Sequence, residues 1–60
     1  GNGGMVALVV KDLAMIETLH KKALELGGTC EGVPGKRTDT MSFGYVRDLD
    51  GNKLAFYCMN

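Results

Sequence analysis

Apolar and polar positions follow three different periods along the chain. Met5-Val6-Ala7-Leu8-Val9-Val10 is apolar throughout and β-branched at three positions. A short continuous run of this kind predicts a strand covered on both faces. Lys11 ends it, and Asp12 carries a side chain suited to a helix N-cap. From Leu13 to Leu26 the period becomes helical. At about 100° per residue, Leu13, Met15, Ile16, Leu19, Ala23, Leu24 and Leu26 share one half of the wheel, and Glu17, Thr18, Lys21, Lys22 and Glu25 the other. Glu17 and Lys21 form a well-oriented i,i+4 pair, and Gly27-Gly28 supplies the left-handed stop.

Thr29 to Thr40 is punctuated by Gly32, Pro34 and Gly35 and kept polar by Lys36, Arg37 and Asp39. It reads as a short strand near Thr29-Cys30-Glu31 followed by a mobile loop. Next come two runs rich in aromatic and apolar residues, Phe43-Gly44-Tyr45-Val46-Arg47 and Lys53-Leu54-Ala55-Phe56-Tyr57-Cys58-Met59, on either side of Asp48-Leu49-Asp50-Gly51-Asn52. Asp, Asn and Gly tolerate positive φ and bond their own backbone in turns, so this is a β-hairpin. The predicted order is strand, helix, strand, strand, strand.

Strand parity exposes a difficulty. If Val6, Leu8 and Val10 point at the helix, then Leu54, Phe56, Cys58 and Val46 join them. The face away from the helix then carries Met5, Ala7, Val9, Phe43, Tyr45, Ala55 and Tyr57. One helix cannot cover both faces of its sheet, and large apolar patches mark a partner or a ligand groove. The expected fold is α+β: one βαβββ module over residues 1–60, a mixed four-stranded sheet with one helix on one face, pairing with a second module.

Sixty residues make one small domain at most, and a chain of this size buries only about 60% of its unfolded surface. Seven basic residues balance seven acidic ones. That argues against nucleic acid and against anionic membrane surfaces, which both select a basic patch. No apolar run approaches the roughly 20 residues needed to cross a bilayer. The start at Gly1, without Met, suggests that residues precede it. Cys30 and Cys58 lack a C-x-x-C spacing. Two thiols in a reducing compartment are favoured over a single disulfide, which makes the cytoplasm the default location.

The helix end Ala23-Leu24-Glu25-Leu26-Gly27-Gly28-Thr29, the loop Glu31-Gly32-Val33-Pro34-Gly35 and the segment Tyr45-Val46-Arg47-Asp48-Leu49-Asp50-Gly51-Asn52-Lys53-Leu54 stand in register along the chain. Together they resemble the C-terminal module of the glyoxalase/bleomycin-resistance/extradiol-dioxygenase superfamily, the vicinal oxygen chelate proteins. The resemblance implies two βαβββ modules around a cleft, of which this chain supplies one. The partner is then a second copy or a missing N-terminal module, and the ligand a small molecule. Metal-using members place a His at the start of the first strand and a Glu just past the hairpin turn, where this sequence has Met5 and Ala55. Neither replaces the imidazole and carboxylate that a divalent ion prefers, so no metal or other cofactor is expected from this half. Other readings are a metal-dependent lyase (lactoylglutathione lyase-like) or dioxygenase with its ligands in the missing half, and a gene remnant without activity.

No catalytic residue is assigned. Arg37, in the loop that the resemblance places near the cleft mouth, is the best polar candidate for ligand contact, since a guanidinium binds a carboxylate in bidentate fashion. A solvated loop charge is the plainer reading of it. Tyr45 and Tyr57 fit packing between modules and ligand binding equally well, and Met5 and Ala55 complete the cleft candidates. His20 lies in the apolar half of the helix and reads as a packed histidine, with no Ser or Cys identifiable as its nucleophile. Asp48 and Asp50 read as salt-bridge or turn-capping residues, and a calcium loop is not supported, since the oxygens are too few and the closing Glu is missing. The glycine-rich start precedes a strand and so fails the context of a phosphate cradle.

Overall fold

The computed structural model describes residues 5–60. The glycine-rich lead, expected to be flexible, lies outside them. The elements are β1 (Met5–Val9), α1 (Leu13–Glu25), β2 (Thr29–Lys36), β3 (Met41–Arg47) and β4 (Lys53–Met59). They form one mixed four-stranded sheet in the order β1-β4-β3-β2. β1 runs parallel to β4, while β3 is antiparallel to both β4 and β2. The α+β module with its single helix is therefore as the hydrophobic pattern predicts.

Local chemistry sets the helix limits. Asp12 Oδ1 accepts the Met15 N–H at 2.9 Å, satisfying one of the donors left free at a helix start. At the other end the Gly27 N–H donates to Leu24 O at 3.1 Å and the Gly28 N–H to Ala23 O at 3.0 Å. That is a Schellman closure, and it requires the left-handed φ of +102° that Gly27 adopts. A Cβ at Gly28 would lie 2.9 Å from Arg47 O, so helix end and β3 meet backbone to backbone.

The core lies between α1 and the centre of the sheet. Ile16, Val46, Phe56 and Cys58 form its buried cluster, with Val10, Leu13, Leu19, Ala23 and Leu54 packed around it. Burying a side chain of this size contributes about 1.5–3 kcal/mol. The helix comes close because β3 has no side chain at Gly44, where a Cβ would stand 2.7 Å from Ile16 Cγ2. α1 packs over β2, β3 and β4.

Two expectations are corrected. β1 is not covered on both faces: it is an edge strand, exposed along its whole length. Its apolar run reflects what the strand can meet rather than what this chain supplies. The segment read as a short strand and a mobile loop is instead an eight-residue strand, β2. Its pairing with β3 shifts register between Cys30 and Gly32 and again between Gly32 and Gly35. Bulged edge strands accept the glycines and the proline that suggested a loop. The true connection is short, and Thr38 Oγ1 caps it by accepting the N–H groups of Thr40 and Met41. Among the described residues no helix is long and apolar enough to cross a membrane.

Candidate functional site

Alternation along β3 sends Ser42, Gly44 and Val46 toward the helix, where all three are buried, and Met41, Phe43, Tyr45 and Arg47 to the opposite face. On β4 the neighbours on that opposite face are Lys53, Ala55 and Tyr57. Phe43 pairs with Tyr57 and Tyr45 with Ala55. The rings form a row: Phe43 stacks on Tyr45 with centroids 5.7 Å apart and planes 3° from parallel, and on Tyr57 at 5.7 Å and 24°. Such stacking adds about 0.5–1.5 kcal/mol per pair beyond area burial. Lys53 Nζ lies 5.0 Å from the Tyr45 centroid, within cation–π range.

Arg37 follows the last residue of β2, and its side chain turns back along that strand to donate to Val33 O at 3.0 Å. Beneath it, a Cβ at Gly32 would stand 2.8 Å from a Tyr45 ring carbon and 3.4 Å from the Arg37 guanidinium. Ring and cation therefore meet over a glycine. The structure brings Tyr45, Tyr57 and Ala55 to one face, as the strand parity implied, and sets Arg37 beside Tyr45 over Gly32. Ala55 is 2% exposed, enclosed by its neighbours, whereas Met5 stands 59% exposed at the β1 margin. Phe43 and Lys53 were not singled out from the sequence. Phe43 links the two tyrosines, and its spacing two residues before Tyr45 is the signal for it.

The metal question turns on donor chemistry. Met5 and Ala55 share this face and offer a thioether and a methyl, and Met5 pairs with Lys53 across β1 and β4. Among the described residues no three of His, Cys, Asp and Glu converge on a point. These residues do not fit a hard or borderline divalent ion.

The hairpin turn is structural. Asp48 Oδ1 accepts the Asp50 N–H at 2.9 Å and the Asn52 N–H at 2.8 Å, and Gly51 takes φ +85°. The Asn52 backbone N–H, chief among these donors, holds the Asp48 carboxyl below its ordinary pKa. Asp50 contributes its N–H to the turn. Arg47 spans the turn by donating to Gly51 O at 2.6 Å and reaches Glu31 Oε1 at 3.2 Å.

One residue departs from its sequence reading. His20 is packed, at 7% exposure, but a cysteine does stand beside it: Cys30 Sγ lies 3.3 Å from His20 Nε2. Ten residues separate them, and only the eight-residue β2, lying under the helix, reveals the pair. Both cysteines are free thiols, Cys30 exposed and Cys58 buried.

A hollow of about 280 Å³ opens on the helix side, between the end of α1 and the β3–β4 turn. Ala23, Leu26, Val46, Leu49 and Leu54 make it apolar. None of the five cleft candidates lines it. Of its charged members, Arg47, Asp48 and Asp50, the first two hold the turn with their side chains.

No family model matches the chain, and no curated protein matches it. Solved structures do. A glyoxalase/bleomycin resistance protein from Albidiferax ferrireducens T118 is 34% identical with a TM-score of 0.83, over 97% of this chain and 48% of its own. A hypothetical protein from S. aureus is 26% identical with a TM-score of 0.83, over 97% of this chain and 50% of its own. The chain spans about half the length of each.

Proposed function

The chain belongs to the glyoxalase/bleomycin-resistance superfamily as one βαβββ module, and from that premise we propose that it pairs with a second module and binds a small molecule in the cleft between them. The second module is another copy of this chain or a companion module of the same kind. The observation that carries the reading is the sheet face opposite α1. It combines a row of three stacked rings with two cations, Arg37 and Lys53, beside them, and it runs out to the bare apolar margin of β1. An unblunted apolar edge strand selects a partner. The cleft residues are Arg37, Tyr45 and Tyr57, with Met5 and Ala55 where a metal-using module would hold its ligands. This half therefore contributes shape, ring surface and positive charge rather than a metal site.

Light scattering at micromolar concentration tests the pairing: a species of twice the chain mass is expected, and a stable monomer contradicts self-pairing. Equilibrium dialysis against small carboxylates with apolar bodies tests the ligand. Saturable binding that Arg37→Ala weakens supports the cleft, and binding indifferent to Arg37→Ala and Tyr45→Ala sinks it.

A further inference from the structure

We propose that Cys30 is a peroxide-reactive thiol for which His20 is the general base, a modification site on the helix side of the module and separate from the cleft. Cys30 Sγ and His20 Nε2 are 3.3 Å apart, a separation for direct proton transfer. The two groups are exposed very differently. His20 is 93% buried (7% exposed) on the inner face of α1, so its ring is held in place, while Cys30 is open to solvent on the edge strand β2. Among the described residues the thiol is the hydrogen-bond partner of Nε2, with no carbonyl or carboxylate competing for it. A donor-ready nucleophile thus faces water with a fixed base behind it. Cys58, only 2% exposed and bonded to no imidazole, is a packing residue of the same chain and an internal reference.

Cys30 is not among the residues that line the helix-side hollow. The exposed thiol is open to a co-reactant from solvent, and a hydroperoxide is small enough to reach it. In the tautomer that leaves Nε2 unprotonated, that nitrogen takes the Sγ proton as the sulfur attacks the distal peroxide oxygen. The O–O bond breaks, the sulfur is oxidised to a sulfenic acid and the peroxide is reduced. The imidazolium returns its proton to the departing oxygen, which leaves as water or an alcohol. With β2 at the opposite sheet edge from β1, the thiol stays accessible when β1 is covered.

The test treats the whole protein with hydrogen peroxide, traps sulfenic acid with dimedone and locates it by peptide mass spectrometry. Base catalysis by a positioned side chain contributes about 100-fold or more, so folded Cys30 should oxidise that much faster than Cys30 in the urea-unfolded chain. Folded Cys58 should remain unmodified. His20→Gln should return Cys30 to the unfolded-chain rate while leaving it open to a maleimide. Equal rates in the folded and unfolded wild type overturn the proposal, as does a fast rate that persists in folded His20→Gln. Should His20→Gln not fold, the wild-type comparison decides alone.

Discussion

The two faces of this sheet are about equally apolar in sequence, yet they are covered by different means. On the helix side, Val46 and Cys58 are sealed by Ile16, which enters the space vacated at Gly44. On the other side Phe43, Tyr45 and Tyr57 stay half-exposed and lean on one another. Only Ala55, the smallest of them, is buried there. The difference fades toward β1, where Met5 and Val9 on one face and Val6 and Leu8 on the other are all exposed. One face is finished by the chain's own helix, and the other is left prepared for something from outside. The two edges repeat the lesson. β2 is blunted by two register shifts and by Pro34, as edge strands that must not pair commonly are, while β1 carries none of these devices.

The largest effect should come from opening the finished face. Ile16→Ala removes a fully buried side chain at the helix–sheet contact. Such truncations cost about 2–5 kcal/mol, comparable to the whole stability of a small domain at about 0.05–0.15 kcal/mol per residue. Urea unfolding followed by circular dichroism should show the loss, and a cost below about 1 kcal/mol would mean that α1 does not seal this face. Tyr45→Ala on the other face should cost the single chain less than Ile16→Ala.

Placing a charge on the unfinished margin tests the other half of the contrast. Burying a valine contributes about 1.5–3 kcal/mol, and both members of a self-pair carry Val9→Lys, so the dissociation constant should rise about 100-fold or more. Val33→Lys makes the same change on β2, where Val33 is also exposed, and should leave it within about two-fold. Sedimentation equilibrium reads both, and equal responses would show that pairing does not distinguish the edges. A smaller effect is expected from Gly44→Ala, whose methyl would press on Ile16 Cγ2. Overpacking of this kind costs about 1–3 kcal/mol in the same urea experiment.

What the sequence disclosed follows from the range of each cause. The amphipathic stripe of α1, its Asp12 cap and the Gly27 stop act within a few residues, and the Asp48–Asn52 turn is equally local, so both were legible. Parity along two adjacent strands then placed Tyr45, Tyr57 and Ala55 on one face without further help. β2 was misread because Gly32, Pro34 and Gly35 signal a loop locally, and only pairing with β3 makes them bulges in an edge strand. The proximity of His20 to Cys30 was hidden for the same reason, since it depends on where β2 lies under α1. β1 was misjudged in the opposite sense: its apolar run describes a strand with neighbours, and this chain supplies them on one side only.

The mildest test links the faces through the turn that joins β3 to β4, the strands that carry both of them. Hydrogen bonds to ionised Asp48, the Asn52 N–H first, hold its carboxyl below the ordinary value, so the folded state favours the charged form. A depressed folded pKa gives stability that is fully present above the unfolded aspartate value and is lost as pH falls through the folded one. Unfolding midpoints should therefore be insensitive to this group near neutrality and decline on acidification below the usual aspartate range. Asp48→Ala should remove that part of the acid dependence and lower stability at neutral pH. Because the turn registers β3 against β4, the near-ultraviolet signal of the ring row and the far-ultraviolet signal of the helix should decline together. If the rings loosen in acid while α1 persists, the two faces are not joined through this turn, and the ring row has a stability of its own.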